Sequence, residues 1–131
     1  MNIIQEDYVS YEVAKLLKEK GMDAPFFAFY RTDEKGKFYH HPSCRPLYYG
    51  KKYIDDEVVA AFTLQMACKW LMEVHHIHIK VNLDSFDGIH PIYEALYDEV
   101  VSMVFNTTID YGDTYEEAVE TAIKFCLETL I

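Results

Sequence analysis

The chain has 131 residues, half of them hydrophobic and 15% aromatic, with a formal net charge of −10 at pH 7. That length suits a single compact domain over residues 1–131, with a core that needs no staples, and a disordered chain would be poorer in apolar residues. No apolar run approaches the roughly 20 residues of a membrane span, and "MNIIQEDYVSYEV" lacks the basic start and apolar stretch of a signal peptide, so a cytoplasmic protein without membrane attachment is expected.

The first expected element is a helix over 11–20, in "SYEVAKLLKEKG". Ser10 can cap it by accepting a bond from a first-turn amide. Val13, Ala14, Leu16 and Leu17 form one apolar stripe. Lys15, Lys18 and Lys20 suit the negative end of the helix. Gly21 can take the left-handed conformation that stops a helix, and Met22 then falls where a Schellman motif sets it against Leu17. A strand is expected over 26–31, rich in aromatic residues. "TDEKGK" reads as a turn, and Phe38 to His40 as a possible return strand. Pro42 and Pro46 end regular structure, and "CRPLYYGKKYIDDE" reads as a loop.

A second helix is expected over 63–75, with Thr63 as its cap. Leu64, Ala67, Cys68, Leu71 and Met72 recur at helical spacing and Trp70 lies beside that stripe; "DDEVVAAF" is a possible earlier start. The next stretch, "EVHHIHIKVNL", holds three histidines in four positions. From His76 it alternates: His76, His78, Lys80 and Asn82 on one face, Ile77, Ile79, Val81 and Leu83 on the other. That is the pattern of a half-buried strand over 76–83. His75 closes the helix, where a partly protonated imidazole suits the dipole. "SFDG" reads as a turn. The stretch from Ile89 to Asp113 fits either a helix after Pro91 or two strands. The last helix, over 115–130, is announced by Thr114 and Glu117, a capping box, and by Ala118, Val119, Ala122, Ile123, Cys126, Leu127 and Leu130 on one broad face.

Three blocks, "YVSYEVAKLLKEKGMD", "TLQMACKWLMEVHHIHI" and "DTYEEAVETAIKFCLETLI", resemble a family of small uncharacterised proteins of gut anaerobic bacteria, their phages and mobile elements. The blocks cover roughly half the chain and are structural: caps, stripes and a strand alternation. The resemblance implies no activity and no catalytic residue. It implies strands rather than a helix after Pro91, near 92–98 and 101–108. Phe62 departs from the family pattern, which has a proline before the Thr-Leu helix start.

Candidate chemistry is sparse. Cys44, Cys68 and Cys126 are far apart, with no C-x-x-C pair; Cys68 and Cys126 sit among apolar residues and read as reduced core thiols. His40, His41 and Cys44 in "HHPSC", with His76 and His78 on one strand face, are the candidate metal ligands. No H-E-x-x-H or paired-cysteine spacing supports them. A Cys44 thiol beside His40 or His41 has the residue types of a nucleophilic pair, yet no nucleophile elbow, P-loop or dinucleotide fingerprint is present. Glu116 and Glu117 already serve a helix start. "RPLYYGKKY" interleaves aromatic and basic residues as single-strand binders do, but it is short and the chain is acidic.

The charge is unevenly placed. Residues 1–83 carry 11 acids and 11 bases; residues 84–131 carry 11 acids and one base, Lys124. That disfavours nucleic acid as a partner of the last third and allows a basic protein partner.

The expectation is therefore an α+β domain, an antiparallel sheet packed by about three helices in two layers. Its function leans away from enzymes, with no cofactor, towards a small accessory or regulatory protein that binds another protein through its acidic C-terminal third. A homodimer through exposed aromatics is a further possibility. The alternative is a His/Cys metal-binding protein with hydrolytic activity; metal occupancy separates the two readings.

Overall fold

A computed structural model of the chain describes residues 7–41, 45–86, 91–99, 107–112 and 114–131. The fold is α+β. The described residues hold three α-helices and two three-stranded antiparallel sheets, and the chain divides into two compact units, Met1–Thr63 and Leu64–Ile131. The expected strands are thus shared between two sheets. No described helix is long and apolar enough to cross a membrane.

In the first unit, α1 runs over Tyr11–Glu19. Ser10 Oγ accepts from the Val13 amide at 3.3 Å, which satisfies a donor the helix itself leaves open. At the other end Gly21 has φ +90°. Its amide donates to the Lys18 carbonyl at 3.1 Å and the Met22 amide to the Leu17 carbonyl at 2.9 Å. Those two bonds are a Schellman motif, with Met22 and Leu17 both buried as its apolar contact.

Strand β1, Ala28–Arg31, lies between β2, Lys37–His40, and β3, Val58–Ala60. It begins two residues later than expected, because Phe26 is taken up elsewhere, in a bridge with Leu47. The β1–β2 hairpin turns through Thr32–Glu34, Lys35 at φ +59° and Gly36 at φ +78°. A methyl group on Gly36 would stand 2.5 Å from the Tyr11 ring, so only glycine admits that packing.

Strand β3 corrects the reading of "DDEVVAAF" as an early helix start. Val58, Val59 and Ala60 are all buried, so neither alternation nor a helical stripe marks them; they are held by pairing to β1 from Phe29–Ala60 to Arg31–Val58. The core of this unit gathers Val9, Val13, Leu17, Phe26, Ala28 and Phe62.

In the second unit, α2 spans Leu64–His75 and leads into β4, Ile77–Phe86. β4 pairs with β5, Pro91–Glu99, which pairs with β6, Thr107–Gly112. β4 runs through Ser85 and Phe86, where a turn was expected. The expected strand at 101–108 meets β6 only at Thr107 and Thr108; 100–106 lie outside the described residues. The expected strand stops at 108, before the turn-forming Asp110 and Gly112, and tertiary pairing to β5 overrides that propensity.

Helix α3, Tyr115–Phe125, continues as a π-helical turn over Cys126–Leu130. Thr114 Oγ1 accepts from the Glu117 amide at 3.1 Å, the bond a T-x-x-E start implies. Ala95 of β5 and Ala118 and Ala122 of α3 are fully buried together, with Ile79, Val81 and Tyr93 packed around them. Small side chains at that contact let the helix close on the sheet.

Candidate functional site

The histidine stretch separates into three different environments. His75 is the last residue of α2, and its ring sits edge-on to Trp70 at 4.6 Å. Its Nε2 is buried and has no hydrogen-bond partner among the described residues. Burial, and secondarily the neighbouring His76, hold the imidazole below its ordinary pKa. His75 is therefore biased to the neutral form, which corrects the expectation of a partly protonated helix-end residue: loss of hydration outweighs the dipole.

His76 is not on the strand face. Its φ is +58°, and its amide donates to the Met72 carbonyl at 3.2 Å, the bond of a left-handed helix cap. The expected His76–His78 pair is thus broken by the backbone: β4 starts at Ile77, and His78 alone continues the alternation. His78 lies opposite Asp98 in the β4–β5 register.

The other candidate ligands lie in the first unit. His40 ends β2, exposed, with its ring 6.4 Å from that of Tyr8. The His41 amide donates to the Phe27 carbonyl at 2.7 Å. Cys44 lies outside the described residues. Among the described residues no group of three or more His, Cys, Asp or Glu is placed to hold a metal.

The thiols of the second unit are poor nucleophiles. Burial pushes Cys68 up to about 11. Burial, with a smaller effect from Cys68, pushes Cys126 up to about 12. Both are free thiols, as the sequence suggested, and stay protonated near neutrality.

Carboxylates of the first unit are engaged by Arg31. Its guanidinium holds Asp33 in a two-pronged pair, both bonds 3.0 Å, and reaches Asp55 at 3.1 Å and Glu34 at 3.2 Å. Those bonds raise the Arg31 pKa and lower that of Asp33, so the charges are locked rather than poised for proton transfer. Thr32 Oγ1 donates to Glu57 beside them, and Tyr39 donates to Glu34 at 2.7 Å.

Sequence reasoning missed how the outer edge of β3 is closed. Lys18 Nζ donates to the Asp56 and Val58 carbonyls at 2.9 and 2.8 Å, and the Ala60 amide donates to Tyr49 Oη at 2.6 Å. Burial pushes the Tyr49 phenol up to about 12. The edge of the sheet is therefore occupied by side chains rather than open to another strand. The loop that supplies Tyr49 turns Leu47 inwards too, and leaves Tyr48, Lys51, Lys52 and Tyr53 exposed. No short-range signal marks the bonds, because Lys18 is 40 residues from Val58 and Tyr49 is 11 from Ala60.

The second unit has an apolar cleft of about 430 Å³. Leu64 and Cys68 of α2, Ile79 and Val81 of β4, and Tyr115 and Val119 of α3 form its walls, with Gln65 at the side. Tyr115 is 51% exposed and stands nearly perpendicular to Tyr93, with ring centroids 6.2 Å apart. Leu64, Cys68, Ile79, Val81 and Val119 were each legible as apolar positions of their own element, but Tyr115 was not, and no local signal brings three elements together.

Comparison with protein-family models, with curated proteins and with solved structures found no match.

Proposed function

We propose that the protein is a non-enzymatic accessory or regulatory protein that binds another protein through its acidic second unit. The observation that carries this reading is the distribution of charge. Leu64–Ile131 holds twelve Asp and Glu against three Lys, whereas Met1–Thr63 holds ten acids against nine bases. A strongly one-signed surface draws a partner of opposite sign and sets its rate of approach. Glu116 and Glu117 are exposed at the start of α3, where they also complement the helix dipole.

The test is affinity capture with the full chain at about 150 mM salt, where only short-range charge contacts survive screening. A specific partner should be retained by the wild type and lost when Glu116, Glu117 and Glu120 are all changed to Lys. Capture that occurs at low salt alone, or no partner at all, overturns a specific acidic interface.

A further inference from the structure

We propose that the open edge of β2 pairs with β2 of a second copy of this chain, antiparallel about a twofold axis at Tyr39, so that the two β2-β1-β3 sheets join into one. The inference stands apart from the acidic-surface reading and concerns the first unit alone.

It starts from which backbone groups face outwards. The Thr32 amide donates to the Glu57 carbonyl and the Ala61 amide to the Ala28 carbonyl, so the even-numbered residues along β1 bond towards β3. The odd-numbered ones bond towards β2, as the His41 amide does on the Phe27 carbonyl at 2.7 Å. Phe29 pairs with Tyr39 and Arg31 with Lys37, so Lys37, Tyr39 and His41 turn their backbone groups inwards. Phe38 and His40 therefore turn theirs outwards, and no hydrogen bond among the described residues reaches them. The opposite edge of the same sheet differs. There Lys18 takes up the Val58 carbonyl and Tyr49 the Ala60 amide. One edge is closed by side chains, and the other is a template for a strand.

Three features of that edge suit a second copy. The first is symmetry. Phe38 and His40 stand either side of Tyr39, so a twofold axis there sets Phe38 opposite His40 of the second copy and His40 opposite its Phe38. Each pair can exchange both of its N–H···O bonds. No other twofold position matches both residues at once.

The second is the aromatic rows. Tyr39 stacks on Phe29 with ring centroids 5.4 Å apart, and on β2 that row reaches the edge. The pairing puts Tyr39 directly opposite Tyr39 of the second copy at a non-hydrogen-bonded position, where side chains come closest. The row then continues from one sheet into the other. On the other face Phe38 is 41% exposed, with its ring 5.4 Å from those of Tyr8 and Tyr30. It gains the His40 ring of the second copy as a cross-strand neighbour. A foreign strand would have to bring an aromatic residue at its centre, and a second copy already carries one.

The third is charge. Lys37 is the single lysine of β2, and its ammonium lies over the Tyr39 ring at 5.2 Å. The pairing separates the two copies' Lys37 by roughly 14 Å, four residues along the strands, which exceeds the Debye length of about 8 Å at physiological salt. The first unit, with ten acids and nine bases, carries little net charge to oppose association.

The test is sedimentation velocity on the full chain at about 150 mM salt, from micromolar to millimolar concentration, with amide hydrogen exchange on the same samples. A dimer should grow with concentration. The Phe38 and His40 amides should exchange freely when dilute and slow in step with the dimer fraction. Those of Tyr39 and His41, bonded to β1 throughout, should change little. His40→Pro removes an outward amide and no bond to β1, so it should keep the hairpin, which circular dichroism checks, and weaken the dimer about tenfold or more. The exchange pattern of the wild type reads the same edge whether or not that variant folds. A chain that stays monomeric at millimolar concentration overturns the proposal. A dimer that leaves the Phe38 and His40 amides exchanging freely, or that His40→Pro leaves intact, lies elsewhere and overturns it too. If the chain stays monomeric and an added alternating Thr-Val peptide protects those two amides, the edge takes a foreign strand and the second copy is ruled out.

Discussion

The two units use their charged side chains in opposite ways. In Met1–Thr63 acids and bases nearly balance, and two cations tie structure together: Lys18 binds two carbonyls at the β3 edge and Arg31 gathers Asp33, Glu34 and Asp55. In Leu64–Ile131 acids outnumber bases fourfold, and Lys69–Glu73 and Lys124–Glu128 are loose helical pairs, at 3.9 and 4.0 Å. Exposed pairs of that kind add little to stability. Lys18 and Arg31 close structure in the first unit, whereas Glu116, Glu117 and Glu128 of the second are exposed. The cores differ in the same sense. Interlocked rings such as Phe26–Tyr49, Phe26–Phe62 and Tyr11–Tyr30 serve the first, and alanines that let a helix approach a sheet serve the second.

The strongest way to break that contrast is at Gly36. Gly36→Ala places a methyl group against the Tyr11 ring and forces an L side chain into φ +78°. Overpacking and left-handed backbone together should cost about 2–4 kcal/mol. Urea unfolding, with tyrosine fluorescence as a second probe, reads this; a loss under about 1 kcal/mol would show that the Tyr11 ring is free to move aside.

Next comes the covered edge. Tyr49→Phe keeps the ring beside Phe26 but removes the acceptor of the Ala60 amide, and Ala60 is fully buried. An unsatisfied buried amide should cost about 1–3 kcal/mol. Hydrogen exchange at Ala60 should accelerate in step. Unchanged exchange would mean that the amide finds another acceptor.

The third prediction concerns pH. His75 has a folded pKa below its unfolded one, because of burial and then His76. The unfolded chain therefore binds the proton more readily as pH falls through the ordinary histidine range. Stability is present above the unfolded pKa and is lost as pH falls through the lower, folded one. His75→Phe keeps an aromatic edge on Trp70 and should flatten the fall in unfolding free energy between about pH 7.5 and pH 5. An unchanged slope would assign the acid sensitivity to other groups.

Much of the fold was legible because its signals are local. Ser10, the Gly21–Met22 stop and the Thr114 start each act within five residues, where spacing determines which groups can meet. The acidity of the second unit was legible in the same way. Strand β3 was not, since three buried residues carry no period and owe their state to β1. Nor was the cleft, whose walls come from three elements between Leu64 and Val119. The metal candidates show the limit most sharply. Alternation puts His76 and His78 side by side, but a one-residue change of backbone hand, invisible to any periodicity, removes His76 from the face.

That change of hand supplies the smallest prediction. A histidine at φ +58° is strained, because its Cβ crowds the backbone, by roughly 1 kcal/mol or more. Glycine at the same helix-ending position is free of that strain but gives the unfolded chain more freedom, which returns part of the gain. His76→Gly should therefore stabilise the protein by about 0.5–1 kcal/mol, and His76→Asn by less. Were His76 instead a strand residue beside His78, glycine would weaken the strand by a similar amount. Thermal unfolding of the two variants distinguishes the two by sign: a rise in midpoint supports the helix-ending role, and a fall restores the histidine pair to one face of β4.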